Sequence, residues 1–500
     1  MARKFVAVAA LSVALAVFAK IYGQTGGAAD ETIRIDLAAQ AQPFPHIWER
    51  MFGSGRANLS MRDDYRRDLR TVKSITGFEY VRFHAILDDE NGVYDEDAQG
   101  KPIYNWSYVD QIYDGLLENG VKPFVEISFM PKKLAANLTP HPFWYKPLPS
   151  PPRNPAKWSA LVEAFTRHLL ERYGPGEVEQ WYFEVWNEPN IDFWDGVPKQ
   201  ETYFALYDET ARAVKHANPH LRIGGPATAQ AAWADAFIKH CTDNHVPFDF
   251  VSAHIYGNEN PVDVFGKKLP ISQHDMVGRA AKKVFDQVKA SPAPDTPIIW
   301  SEYNATYMTL QNTTDSAFMG PWLANNIREC DGLADMMSYW TFSDVFEEQG
   351  VAKTPFYGGY GLIAQRGIPK AAFYAFELLN RLGDRRLPND SENALVTERA
   401  NSDVILALWN YADPGAQAPA KTFHLAGVDA RFTRYFVQMV DPDHGSSLKV
   451  WKDMGSPASP TPEQIRVIIR ESALPPRQVH SIADPIVIPS QGLALVELQR

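Results

Sequence analysis

Cysteine is nearly absent. The 500 residues carry two, Cys241 and Cys330, on helices expected to lie apart. Two buried free thiols are therefore expected rather than a disulfide, and packing must supply the stability. No Cys/His cluster has the spacing of a metal site, and no Gly-rich phosphate loop opens a helix. Low-complexity tracts are missing too, so the chain reads as globular rather than disordered. Basic residues never run longer than two, and the net charge is −11. Nucleic acid and anionic membrane both demand a basic footprint, and neither is expected as a partner. Beyond the N-terminal segment, no stretch of about 18 apolar residues is free of charge, so no membrane span is expected there.

What is present begins with a targeting pattern. Arg3 and Lys4 precede "FVAVAALSVALAVFA", too short and too rich in small residues for a span. Residues 1–29 are expected to be a signal peptide that sends the mature chain to the periplasm or outside the cell; an uncleaved anchor is the alternative. Hydrophobic residues make up 45% of the chain, enough for one large core and a smaller one. Aromatics reach 12%, including 13 Trp. They either fill that core or offer rings that stack on sugars.

From residue 45 to 384, short apolar runs alternate with amphipathic helical stretches. Eight strand candidates can be read: "MFGSG" (51–55), "YVRFH" (80–84), "KPFVEIS" (122–128), "WYFEVW" (181–186), "LRIGG" (221–225), "FDFVSAH" (248–254), "PIIWSE" (297–302) and "MMSYWTF" (336–342). Helices such as "PAKWSALVEAFTRHLLERYG" separate them, that one stopped by Gly174-Pro175. This is the α/β pattern of a (β/α)8 TIM barrel, with a doubly wound open sheet as the competitor. Residues 385–500 change texture. "NALVTERANSDVILALWNYA", "TRYFVQMVD", "IRVIIR" and "GLALVELQR" read as alternating strands of an antiparallel β-sandwich without helices. Residues 30–44 contain a similar strand, "ETIRIDLAA", expected to join that sheet. The Pro-rich segment 130–156 is too long for an ordinary connector and is expected to rim the barrel mouth.

Chemistry in such a barrel sits where strands end and βα loops begin. Here the ends carry Arg82 and His84, then Asn187-Glu188, then His254 and Tyr256, then Glu302, then Trp340. Two acids converging with an Asn, two His and a Trp suit cleavage of a glycosidic bond. That reaction passes an oxocarbenium-like transition state and uses two carboxyl groups in unlike surroundings. One must keep its proton for the leaving oxygen, and the other must stay ionised to attack the anomeric carbon. Glu302 would be held charged by Arg82 and Tyr256, while Glu188, among aromatics and near another negative charge, would have its pKa raised.

"EVWNEPN" (184–190) and "IIWSEYNATY" (298–307) resemble the acid/base and nucleophile motifs of the clan A retaining glycosidases. With "GSGRANLSMRDDYRRDL", "VRFHAIL", "EISFMPKKL", "VSAHIYG", "YWTFSDVFEEQG" and "FYGGYGLI", the set resembles glycoside hydrolase family 39, which contains β-xylosidases and α-L-iduronidases. The resemblance implies that Glu188 is the general acid/base and Glu302 the nucleophile, 302 − 188 = 114 residues apart. It also implies that His84, Phe129, Asn187, His254, Tyr256, Tyr307, Trp340, Glu347 and Glu348 line the first sugar subsite, with Arg82 in support. Glu347-Glu348 would suit neutral hydroxyls and repel a uronic acid. The implied activity is an exo-acting β-xylosidase on short xylo-oligosaccharides, with no cofactor and no metal. An α-L-arabinosidase or another β-glycosidase of the same family, or a sugar-binding protein without catalysis, is the alternative. Each histidine can also be read as a satisfied core residue, Trp340 as core, and Glu347-Glu348 as a solvated loop pair. Phe143, Trp144 and Tyr145 either stack a second sugar or pack their loop. Glu184 is read as structural, paired inside the barrel. Oligomeric state is left open.

Overall fold

The structure, a computed structural model, describes residues 29–500. Residues 1–28 of the expected signal segment lie outside them. Eight parallel strands close into a barrel: Met51–Gly53, Tyr80–Phe83, Lys122–Ile127, Tyr182–Val185, Arg222–Thr228, Phe250–Tyr256, Ile298–Asn304 and Met336–Tyr339. They are numbered one to eight here in that order. Helices close each crossover, and their ends follow from local chemistry. Helix Pro155–Tyr173 starts where the Asn154 side chain accepts from the backbone of Ala156 and Lys157, and Gly174, at φ 80°, ends it. No helix among the described residues is long and apolar enough to cross a membrane. Cys241 and Cys330 are buried and free.

Strand parity builds the barrel interior in layers, because every second side chain points inward. The lowest layer is apolar, with Met51, Tyr80, Phe124, Phe250, Ile299 and Met336 in one cluster. Two residues further along their strands come Arg82, Glu126 and Ser338, joined by Glu184 from strand four, and all four are buried. Another step brings His84, His254 and Trp340 to the mouth. A period of two therefore converts a hydrophobic floor into a charged middle and a polar opening.

The second unit is a sandwich of a seven-stranded and a three-stranded sheet. Ile33, Phe423, Ile486 and Ile488 meet Val396, Leu406, Leu408 and Val496 in the core between them. Strand Ala29–Arg34 pairs with Lys421–Ala426 in parallel, in an otherwise antiparallel unit. The expectation of a sandwich without helices is corrected: helices Ser447–Asp453 and Pro462–Glu471 interrupt it. "IRVIIR" lies in the second of these and is not a strand. Thr461 and Gln464 form a capping box ahead of Pro462 at the helix start, which outweighs the apparent alternation. Ile465, Ile468 and Ile469 then share a face against Phe356 and Trp451.

Candidate active site

Strand four ends in a bent backbone. Trp186 and Glu188 adopt positive φ values of 71° and 43°, a region that side chains rarely occupy. Two contacts hold the bend: Trp186 Nε1 donates to Phe193 O at 2.7 Å, and Glu188 N donates to Ala227 O at 2.8 Å. The bend aims Glu188 across the barrel mouth toward Glu302 at the end of strand seven. Among Glu188, His254 and Glu302, one donor atom from each lies within 4.8 Å of the others. Both carboxyl groups line a cavity of about 320 Å³ together with His84, Asn187, Tyr256, Trp340 and Glu348.

The two acids have different neighbours. Glu302 Oε1 accepts from Arg82 Nη1 at 2.7 Å, and its Oε2 accepts from the Tyr256 hydroxyl at 2.7 Å. Among the described residues Glu188's carboxyl has only His254, with Nδ1 at 3.0 Å, and that ring's other nitrogen faces Ser301 Oγ at 3.1 Å. Burial, with Arg82 and His84 adding to it, pushes His254 well below the usual imidazole range, so it is neutral. Burial lifts Glu188 well above the carboxylate range, and the charges of Glu302, Glu259 and Glu348 add to the rise. Burial also raises Glu302, but Arg82, His84 and the Tyr256 hydroxyl oppose it. Of the pair, Glu188 keeps the proton and Glu302 gives it up.

Below them Arg82 is fully buried, with all three guanidinium nitrogens engaged. Nε donates to Glu184 Oε2 at 2.6 Å, and Nη2 donates to Asn187 Oδ1 at 3.1 Å while lying 2.8 Å from Glu126 Oε2. His84 Nδ1 sits 2.7 Å from Glu126 Oε2, and its Nε2 lies 3.6 Å from Glu348 and 3.7 Å from Glu302. Burial opposes a charge on His84, but Glu126 and Glu302 outweigh it and raise its pKa. Trp340 lies flat on Gly53, where a Cβ would come within 2.0 Å of the indole. Only glycine leaves room for the ring.

The family model for glycosyl hydrolases family 39 matches residues 31–483, nearly the whole chain. The protein belongs to family 39. It is thus a glycoside hydrolase. A β-xylosidase of Geobacillus stearothermophilus is 36% identical over 482 residues, covering 92% of this chain and 94% of that one. The family 39 enzyme of Xanthomonas axonopodis pv. citri superposes with a TM-score of 0.85 at 32% identity, over 96% of this chain and 99% of its own. A monomeric β-xylosidase from Caulobacter crescentus does so with 0.83, again at 32% identity, over 94% and 99%.

Against the family 39 expectation, the structure brings His84, Asn187, Glu188, Tyr256, Glu302, Tyr307, Trp340 and Glu348 to the cavity wall. Three expected lining residues are not there. Glu347 turns to Arg62 at 2.7 Å and Arg56 at 3.2 Å, so its charge is matched away from the cavity. Phe129 is covered by Phe193, its ring stacked at 6.2 Å. His254 supports Glu188 from behind the wall, with both ring nitrogens engaged. Of the long loop's aromatics, Phe143 lines the cavity, Tyr145 packs under Arg56 at 5.0 Å, and Trp144 is exposed. Residues missed from the sequence include Phe193, Gln230, Glu259, Asn260, Asp263, Gln349 and Tyr360 on the wall, and Glu126 beneath it. Glu126 was within reach, since it shares strand parity with Phe124. The loop residues have no period to betray them.

A cation could fit the spacing of Glu188, His254 and Glu302. The donors argue otherwise: both Glu302 oxygens are engaged, and the Arg82 guanidinium would repel a metal at 2.7 Å from one of them. Arg82 itself matters to folding. Arg82→Met leaves Glu126, Glu184 and Glu302 buried without their shared cation, and is expected to cost about 3–5 kcal/mol. A urea denaturation midpoint equal to that of the unaltered protein would refute this.

Proposed function

We propose that this protein is a retaining β-xylosidase that removes terminal xylose from xylo-oligosaccharides. The observation that carries the reading is the paired carboxyls: an oxygen of Glu188 and one of Glu302 within 4.8 Å, with unlike partners. Retaining pairs stand about 5–5.5 Å apart, against about 6.5–9.5 Å when water must fit between them. In the first step Glu302 Oε attacks the anomeric carbon while Glu188 gives its proton to the leaving oxygen. Glu188 then takes a proton from water, which attacks the same carbon and releases Glu302. Asn187, whose Oδ1 is taken by Arg82, keeps its amide nitrogen for the hydroxyl beside the reacting carbon.

The choice of sugar rests on Glu348. Burial pushes its carboxyl up to about 8, so at neutral pH it is largely protonated and able both to donate to and to accept from hydroxyls. No Lys or Arg lines the cavity among the described residues, which leaves a uronic acid without a counter-ion. Exo action is supported by the loops: Trp144 N donates to Glu348 O at 2.8 Å and ties the loop after strand three to that after strand eight. The basic-then-apolar N-terminal segment supports export to the periplasm or beyond as part of the same reading. Side-by-side assay of aryl β-xyloside, α-L-arabinoside and β-glucoside tests it. The xyloside is expected to lead in kcat/KM. A lead by either other sugar, or binding without turnover, would overturn the assignment.

A further inference from the structure

The cavity wall is uneven in charge. Glu188 must hand its proton to the leaving oxygen, so the leaving group sits on the Glu188 side. Two segments build that side. One is Ala229–Ala231 after strand five, turned at Gln230 with φ 63°. Asn190 clamps it, donating from Nδ2 to Ala229 O at 3.1 Å and accepting from Ala229 N at 2.9 Å. The other follows strand six and holds Glu259, Asn260 and the helix Pro261–Phe265, which Asn260 caps through Val262 N at 3.1 Å. Lys283 fastens the two together, donating to Ala231 O at 2.9 Å and Val264 O at 2.8 Å. Its charge thus faces carbonyls at the back of the wall.

Gln230, Glu259, Asn260 and Asp263 line the cavity from these segments, and burial, with Asp263 adding to it, raises Glu259 to about 7, so near neutral pH it carries only part of its charge. Beside them, Tyr307 offers a half-exposed ring, held where its backbone N–H donates to Asn258 Oδ1 at 3.1 Å and its carbonyl accepts from the Tyr360 hydroxyl at 2.6 Å. The leaving-group side is thus two acids, two amides and an aromatic face, braced from behind.

We propose that this wall makes the leaving-group subsite selective for uncharged sugars, with Asp263 and the ionised form of Glu259 rejecting a leaving group that carries a carboxylate. The inference rests on the β-xylosidase reading and extends it from the sugar removed to its neighbour. Amides and a ring suit hydroxyls and a sugar face. An incoming carboxylate meets like charge in a partly desolvated cleft, where repulsion outweighs its value in bulk water. An oligosaccharide whose second unit bears a uronic acid would need that branch removed by a different glycosidase before this enzyme could act.

The test uses two aryl β-xylosides that differ only in a ring carboxylate or its methyl ester. Intrinsic leaving-group differences cancel when the ester-to-acid ratio of kcat/KM is compared between enzymes. The Glu259→Gln/Asp263→Asn double variant is expected to lower that ratio about tenfold, and raising salt is expected to lower it in the unaltered enzyme alone. Asp263→Asn, at an exposed position, gives a smaller shift in the same direction and does not depend on the half-buried Glu259 substitution folding. A ratio that stays unchanged in both variants would overturn the inference while leaving the β-xylosidase reading intact. No turnover of the ester by the unaltered enzyme would overturn that reading and this inference with it.

Discussion

Glu302→Ala is expected to lower kcat/KM by roughly 10⁴-fold or more on every xyloside, whatever its leaving group. The size follows from the step removed. Without the carboxylate no glycosyl-enzyme bond forms, and the neighbours that tune it have no other nucleophile to serve. Arg82 keeps Glu184 and Glu126 as partners at 2.6 and 2.8 Å, so the variant is expected to fold. Its loss should therefore be in chemistry, with xylose still bound. Activity that survives on activated aryl xylosides would assign the attack to another group.

Glu188→Ala should behave differently. Natural xylo-oligosaccharides, whose leaving oxygen needs a proton, are expected to slow by about 10²–10⁴-fold. Activated aryl xylosides need no such help in the first step, so for them the glycosyl-enzyme accumulates and its hydrolysis becomes limiting. Azide, small and anionic, can enter the space the side chain leaves and restore turnover as a glycosyl azide. The pH profile should change as well. In the unaltered enzyme kcat/KM falls as pH rises past the pKa of Glu188, which must be protonated, and falls at low pH as Glu302 gains a proton. The variant should lose the Glu188 part of the alkaline limb; what remains of that limb reports Glu348, raised to about 8. Equal losses for good and poor leaving groups, with no azide effect, would exchange or dissolve the assigned roles.

The barrel was readable because its strands are buried on both faces. Such strands appear as dense apolar runs, and the residue that breaks each run marks the mouth. That is why Glu188, Glu302, His84 and Trp340 could be picked out together. Glu347 and Glu348 show where the reading stops. Adjacent acids on a loop have no periodicity, and only the positions of Arg56 and Arg62 decide which of them faces sugar. "IRVIIR" failed for another reason. Six residues of mixed pattern fit a strand or a helix, and the deciding signal lay just upstream in Thr461 and Gln464.

Strand Ala29–Arg34 sets a condition on biosynthesis. Its partner, Lys421–Ala426, leaves the ribosome 421 − 29 = 392 residues later. Strand Ala29–Arg34 must therefore wait, unpaired, until the barrel has been translated, and only then does it cover Phe423 and finish the small sheet. A fragment holding residues 385–500 alone would expose a bare strand edge at Lys421–Ala426 and be prone to associate there.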